Sequence, residues 1–243
     1  MPEENLGPYP LNTIQHGDAL KLMPQLPADS LDLIVTDPPF AINFKAQRAN
    51  YNRKGSRVLE GYNEIAPEDY PEFTLNWMKE AWRLLKPEGS MYVISGWTNL
   101  KDILNALDDV GFTTVNHLIW KYQFGVFTKK KYVTSHYHIL FVTKDKKNYY
   151  FDKVEHYPED VWVIKREYWH GKKKTPTKLP LALVKKILSF SSKEGDIVFD
   201  PFMGSGTVAA AAQEMGRRFF GFEIVEDYQE LARERVSQTQ EDL

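Results

Sequence analysis

An α/β fold with a mainly parallel sheet is predicted by three features of the sequence. Strand-like and helix-like segments alternate along most of the chain, the pattern of βαβ units. The segment "LDLIVTD" reads as an apolar run of strand length, typical of a strand covered on both faces. Three segments close on an acid, at Asp18, Asp37 and Asp200, at strand ends where open α/β sheets bind ligands.

Taken in order, "NTIQHGDAL" begins as a short strand ending at Gly17-Asp18, and "LDLIVTD" is the second strand. In "PEDYPEFTLNWMKEAWRLLKPEG", Phe73, Trp77, Ala81 and Leu84 recur at helical spacing, and Lys86-Pro87 stops the helix. "SMYVISGW" is a strand and "NLKDILNALDDVG" a helix closed by Gly111. "TVNHLIWKY" and "YHILFVTK" follow as strands, and "LPLALVKKILSFSS" as an amphipathic helix opened by Pro180. "DIVFDPF", "GTVAAAAQEMG", "RRFFGFEI" and "EDYQELARERVSQ" complete the chain as strand, helix, strand and helix.

The 243 residues fit one sizeable domain, 1–243, with room for an inserted loop. With 31 basic and 33 acidic side chains, no overall basic excess marks a nucleic-acid binder, although binding rests on local patches. The chain has no cysteine, which excludes disulfides and thiolate metal sites. His136 and His138 share one strand face without further ligands nearby, so no metal is expected. The N-terminus lacks a signal pattern, and no apolar run approaches the roughly 20 residues of a membrane span. A soluble, cytoplasmic protein with no membrane partner is expected.

"FDPFMGSGTVAAAA" places Gly204 and Gly206 in a strand-to-helix turn, where glycine permits positive φ and close approach of a ligand. Gly204-x-Gly206-x-x-Ala209 also matches the dinucleotide fingerprint, with Glu223 ending the next strand. A dinucleotide-binding α/β protein is therefore one reading. A P-loop is not, because no Lys follows Gly206. Acids at this edge would repel a diphosphate. They would stabilise S-adenosylmethionine, which carries a sulfonium and an ammonium.

These segments together resemble the β-class DNA amino-methyltransferases, and the resemblance covers nearly the whole chain. "HGDALKLMPQLPADSLDLIVTDPPF" looks like that family's opening, with the catalytic Asp-Pro-Pro-aromatic motif at Asp37, Pro38, Pro39 and Phe40. "DPFMGSGTVAAAAQEMGRRFFGFEIVEDY" is similar to its cofactor motif, and "DVWVIKREYWHGKKKTPTKLPLALVKKIL" to the segment before it. The catalytic motif precedes the cofactor motif, a circularly permuted order that marks the β class.

The resemblance implies a single Rossmann-like, S-adenosylmethionine-dependent methyltransferase domain. It places Asp37, Asp200, Pro201, Phe202, Gly204, Ser205, Gly206 and Thr207 around the methionine part of the cofactor. It sets Glu223 at the ribose hydroxyls and Asp18 with Ala19 at the adenine end. The family's His-Pro-Thr-Gln-Lys-Pro type motif is replaced here by Thr175-Pro176-Thr177-Lys178-Leu179-Pro180. Thr177 and Lys178 are the residues that would meet the cofactor carboxylate, with Lys178 as a solvated charge the competing reading.

An aryl amine is a weak nucleophile because its lone pair is delocalised into the ring. Asp37 and the Pro38 carbonyl supply two acceptors for the amine hydrogens, at an angle fixed by two locked φ values. Phe40 supplies a stacking face worth roughly 1–3 kcal/mol. The target amine is out of reach inside a duplex, so the base is expected to flip out. Among relatives, Asp at the first position goes mainly with adenine-N6 and Ser with cytosine-N4. The expected activity is site-specific adenine-N6 methylation of double-stranded DNA in a restriction-modification system, with a cognate endonuclease as candidate partner. Cytosine-N4 methylation is the alternative. Methyltransferases that act on protein glutamine share the corner but place the cofactor motif first.

The run from Lys45 to Arg57, with Lys45, Arg48, Tyr51, Arg53, Lys54 and Arg57, carries five bases and no acid within a polar loop over 41–66. Lys129, Lys130 and Lys131 form another basic group, interleaved with aromatics. Both are candidate DNA contacts. Residues 144–174 match the position of the family's target-recognition region and are short. A brief target sequence, recognition shared with the basic loop, and a homodimer that brings a second subunit are three solutions the sequence leaves open.

Overall fold

The computed structural model describes residues 4–41, 65–125, 127–167 and 178–241. The strands are β1 (Asn5–Leu6), β2 (Tyr9–Pro10), β3 (Thr13–His16), β4 (Leu31–Thr36), β5 (Leu85–Ser95), β6 (Thr113–Lys121), β7 (His136–Thr143), β8 (Val161–Val163), β9 (Ile197–Asp200) and β10 (Arg218–Glu223). The helices are α1 (Ala19–Leu22), α2 (Tyr70–Leu84), α3 (Leu100–Val110), α4 (Leu181–Ser191), α5 (Thr207–Glu214) and α6 (Glu226–Glu241).

Eight strands form one sheet in the order β3-β10-β9-β4-β5-β7-β6-β8, while β1 and β2 form a separate antiparallel pair. Within the large sheet only β7 runs against the rest; it pairs antiparallel with both β5 and β6. The mainly parallel sheet expected from the alternation is present, and the two consecutive strands without a helix between them make its antiparallel part. From β4 the chain moves outward through β5 on one side, and from β9 through β10 on the other. The gap between β4 and β9 is the topological switch point, where open α/β sheets bind their ligands.

Both sheet faces are covered. Trp77, Met78, Ala81 and Leu84 of α2 pack with Ile103, Ala106 and Leu107 of α3 against Ile34, Met91 and Phe199. On the other face Leu183, Val184 and Ile187 of α4 join Val208 and Ala209 of α5 and Ala232 of α6 over Leu33, Val35 and Val198. This explains the unbroken apolar reading of β4, whose Leu33, Ile34 and Val35 are each fully buried.

Local signals set the helix ends. Pro71 occupies the first turn of α2, where no backbone N–H is needed. Gly111 ends α3 at φ 97°, the left-handed cap that glycine adopts without strain. One boundary differs from the sequence reading. β5 begins at Leu85, not Ser90, and its ladder with β4 jumps from Leu31↔Leu85 to Leu33↔Ser90. Lys86–Gly89 thus bulges out, consistent with the missing N–H of Pro87. Asp32 secures this end of the sheet. It takes Lys86 Nζ at 2.6 Å and the Ile197 amide at 2.9 Å, tying β4 to β5 and β9.

The described part of residues 144–174 adds β8 to the sheet edge, where Trp162 is buried and donates to the Glu159 carbonyl at 2.8 Å. Gly221 of β10 is a packing requirement that the sequence reading passed over. A Cβ there would lie 2.4 Å from the Asp200 carbonyl oxygen and 2.3 Å from Met203 Cε. Gly221→Ala is expected to destabilise the fold by about 1–3 kcal/mol, the usual overpacking cost, by forcing β9 and β10 apart. Denaturant unfolding measures it; an unchanged midpoint would show that the strands give way freely.

Candidate active site

The ends of four parallel strands converge at the switch point. β4 leads into Asp37-Pro38-Pro39-Phe40, β9 ends on Asp200 before the glycine turn, β10 ends on Glu223, and β3 leads into Gly17-Asp18. All of these line one cleft, enclosing about 1020 Å³ of space, part of it open to solvent. Its described lining holds four carboxylates, Asp18, Asp37, Asp200 and Glu223, and no Lys, Arg or His. Pro38, Pro39, Phe40, Ala19, Pro201, Phe202, Gly204, Ser205 and Thr207 line it too, so most of the expected site residues share this one cavity.

Three of the carboxylates, Asp37, Asp200 and Glu223, are strained electrostatically. Burial pushes Asp37 up to about 8, and the charge of Asp200 adds to the shift. Asp37 as a residue is half-buried, but its Oδ1 is shut off from solvent and has no hydrogen-bond partner. Burial pushes Asp200 up to about 7, against the Phe202 amide that donates to its Oδ1 at 3.0 Å. Glu223 is also raised by burial, offset in part by amides from Val225 at 2.9 Å and Gly204 at 2.7 Å. Asp18 caps α1, taking the Leu20 amide at 3.1 Å. A cation that enters this cleft relieves repulsion; a diphosphate increases it.

The two glycines do different things. Gly204 has φ 53°, and a Cβ there would meet only the Phe202 carbonyl oxygen, at 3.8 Å, so the open side of the turn faces the cleft. Gly206 has φ 75°, and a Cβ there would lie 2.8 Å from Ala232 Cβ, so its bareness serves the packing of α5 against α6. Thr207 is held by Arg235, which donates to its Oγ1 at 2.6 Å, while that hydroxyl donates to the Leu179 carbonyl at 3.2 Å. Glu167 anchors the same corner, accepting the Leu181 amide at 2.6 Å and pairing with Lys178 at 2.9 Å. Lys178 is thereby directed to Glu167 and is not among the cleft-lining residues, whereas Leu179 is. Thr177 lies outside the described residues.

Sequence reasoning missed several parts of the wall. Ile224, Val225 and Tyr228 stand beside Glu223 and add an apolar part to the wall. Their signal was the apolar pair after the acid and a tyrosine one helical turn on. Phe40 is buried and stacked on Tyr137, with centroids 6.3 Å apart at 13°. Tyr137 in turn stacks on Trp120 at 5.5 Å, and Arg166 lies 3.8 Å over Tyr122 and 5.5 Å from Tyr137. No periodicity links these four aromatics, because they meet only through the strand order that brings the end of β4 near β7 and pairs β7 with β6.

Lys129, Lys130 and Lys131 are exposed in the connection from β6 to β7. β6 runs parallel to β4, so this connection leaves the same edge of the sheet as the cleft. Phe127 and Tyr132 flank the lysines at 79% and 99% exposure, and Trp97, just after β5, is 69% exposed on that edge. The other candidate DNA contacts, Lys45, Arg48, Tyr51, Arg53, Lys54 and Arg57, lie outside the described residues.

Comparison with known proteins agrees with this geometry. A family profile described as DNA methylase, of the N6/N4 methyltransferase group, matches residues 31–234. The type II methyltransferase M.HpaI of Haemophilus parainfluenzae is 31% identical over 90% of this chain and 72% of its own length. M.HinfI of Haemophilus influenzae is 30% identical over 97% of the chain and 71% of its own. The crystal structure of the M1.HpyAVI–SAM complex aligns with TM-score 0.67 at 26% identity, covering 92% of this chain and 98% of that one. The motifs, the carboxylate-lined cleft and these likenesses together establish that the chain belongs to the N6/N4 DNA methylase family and is an S-adenosylmethionine-dependent DNA methyltransferase.

Proposed function

We propose that this enzyme methylates the N6 amine of adenine, flipped out of double-stranded DNA, as the modification half of a restriction-modification system. The observation that carries the cofactor side is the cleft's set of four carboxylates with no basic residue among its described lining. The same observation argues against a nicotinamide dinucleotide. Adenine is favoured over cytosine by the acid at the first position of Asp37-Pro38-Pro39-Phe40. The type II naming of the two Haemophilus relatives supports the restriction-modification context, in which a cognate endonuclease is the natural partner.

The residues fit the cofactor. Asp200 and Asp37 face its cationic part, the open side of Gly204 admits the chain close to the turn, and Glu223 with Ile224 and Tyr228 suits the nucleoside. S-adenosylmethionine supplies, when bound, a methyl carbon on positively charged sulfur. Asp37 Oδ2 and the Pro38 carbonyl accept the two amine hydrogens, so the nitrogen pyramidalises and its lone pair leaves the ring. Phe40, stacked on Tyr137, is the ring of the corner that lines the cleft where the base would enter. The work is positioning and charge placement in the cleft. At the rim, Lys129, Lys130 and Lys131 meet phosphates, and exposed Trp97, Phe127 and Tyr132 offer stacking faces.

Modification-sensitive sequencing of DNA from cells that express the chain, beside an Asp37→Ala control, should show N6-methyladenine in one short sequence context. The control should lose on the order of 10²–10³-fold of the activity, the cost of removing one pre-aimed polar partner. N4-methylcytosine alone would overturn the adenine assignment, and no mark above the control would overturn DNA methylation by this chain.

Cofactor affinity should rise with pH. Asp200 near 7 and Asp37 near 8 must be charged to attract a cation, so binding strengthens as pH climbs from about 6 to 8.5 and releases protons. Calorimetry in buffers of different ionisation enthalpy measures this. Both folded values lie above the unfolded carboxylate value. The free protein therefore holds these protons more tightly when folded and loses stability as pH rises from the ordinary carboxylate range near 3.8 up to about 8. Asp200→Asn should raise Tm at pH 8 while weakening cofactor binding; a lower Tm would refute the electrostatic account. Replacing Lys129, Lys130 and Lys131 together by Ala should lower DNA affinity and reduce the slope of log K on log salt by up to about 3.

A further inference from the structure

Arg235, in α6, is a cation that stands directly behind the cleft without lining it. Its side chain is largely buried, and burial draws the guanidinium below its ordinary value, with Glu167 and Glu214 opposing. A buried charge is costly unless it is paired and hydrogen-bonded. The partners of Arg235 belong to the cleft wall. Nη1 donates to Thr207 Oγ1 at 2.6 Å and lies 3.5 Å from the Ser205 carbonyl oxygen, a weak contact. Nη2 lies 4.0 Å from Glu167 Oε2. Ser205 and Thr207 both line the cleft.

A hydroxyl has one proton and two lone pairs. Thr207 gives its proton to the Leu179 carbonyl at 3.2 Å and takes Arg235 on one lone pair. Ser205 Oγ lies 3.3 Å away. Because the Thr207 proton is already placed, Ser205 is the donor in that contact. The Thr207 hydroxyl is then fully used by the protein. It ties together three pieces of wall: the glycine turn, Leu179, which also lines the cleft, and α6 behind them. Helix packing alone does not require this tie, since Gly206 against Ala232 already brings α5 and α6 together.

We propose that Arg235 is a positioning residue for the cofactor: its guanidinium fixes the Thr207 hydroxyl and so holds the Ser205–Thr207 turn against Leu179, setting this part of the cleft before S-adenosylmethionine enters. Thr207 Oγ1 acts as the tie and not as a hydrogen-bond partner of the cofactor. The inference rests on the reading of the cleft as the cofactor site.

Arginine suits the place because its planar fork presents N–H groups in fixed directions, one toward Thr207 and another toward Glu167. Glu167 carries the hold onward. Its Oε1 accepts the Leu181 amide at 2.6 Å and its Oε2 pairs with Lys178 at 2.9 Å, so Leu179 is gripped from both sides along the chain. A wall that must be ordered during binding costs affinity, and one already set does not. The clamp acts on the shape of the turn and not on the charge at sulfur. Its loss therefore weakens S-adenosylmethionine and the demethylated, neutral-sulfur S-adenosylhomocysteine alike. Loss of an acid that attracts the sulfonium falls mainly on the charged form.

The test compares wild type, Arg235→Met, Thr207→Val and the double variant by calorimetry with both adenosyl compounds. Backbone amide exchange is followed without ligand, and kcat and KM for DNA are measured at saturating cofactor. Each single variant should raise Kd for both compounds about tenfold, the worth of one charge-assisted hydrogen bond. The double variant should be about as weak as either single one, because both remove the same tie. With cofactor saturating, kcat and KM for DNA should stay within about twofold of wild type. The Gly206 and Ala210 amides, which donate to the Met203 and Gly206 carbonyls, should exchange faster in the variants. Single losses that multiply in the double variant overturn the proposal. So does a Kd within about twofold of wild type beside a lowered Tm, which marks a merely structural arginine, and so does unchanged amide exchange. Should Arg235→Met fail to fold, Thr207→Val keeps the arginine and decides the same tie by Kd and exchange. If wild-type protein binds no S-adenosylmethionine, the reading of the cleft fails, while exchange in the free protein still decides whether Arg235 holds the turn.

Discussion

Carboxylates that repel one another are held together where β4 and β9 part. Asp37 and Asp200 lie at adjacent strand ends, both pushed well above the usual carboxylate range by burial and by mutual or neighbouring charge. A fold tolerates this only if the surrounding backbone leaves the groups no alternative. Amides from Phe202, Gly204 and Val225 grip Asp200 and Glu223. At the opposite end of the strands Asp32 clips β4 to β5 and β9. The result is a negative cleft built before its ligand arrives, which is the preorganisation that charge-based catalysis needs.

Around that centre the glycine turn divides its labour. Gly204 keeps one side open to the cleft, and Gly206 lets α6 approach α5. The turn is fastened from outside the cleft by Arg235 on Thr207 and by Glu167 at the start of α4. Residues far apart in sequence thus lock the turn whose bare side faces the cleft. Lys178 is absorbed into that fastening through its pair with Glu167.

A line of aromatic rings extends from the Asp37-Pro38-Pro39-Phe40 corner. Phe40 rests on Tyr137, Tyr137 on Trp120, and Arg166 covers Tyr122 beside them. This stack makes Phe40 a fixed platform, since its rear face is already occupied. Beyond it the exposed aromatics and lysines of the β6–β7 connection stand on the same edge as the cleft.

Strand and helix types, the order of the motifs and nearly all of the cleft's polar residues were legible in the chain, because each rests on local chemistry. A buried strand leaves a continuous apolar run, a sheet's ligand edge leaves an acid beside Gly or Pro, and a helix stop leaves Gly111 or Pro87. Decisions that depend on which strands become neighbours were not legible. Nothing in "YHILFVTK" says that it runs against β5 and β6, nothing in "RRFFGFEI" says that Gly221 must clear the Asp200 carbonyl, and the Phe40–Tyr137 stack joins residues 97 positions apart. The protonation of the corner belongs to the same class. "DLIVTDPPF" identifies an acid, a stiff turn and a ring; only burial beside Asp200 decides how that acid holds its charge, because desolvation and through-space repulsion are properties of the packed fold.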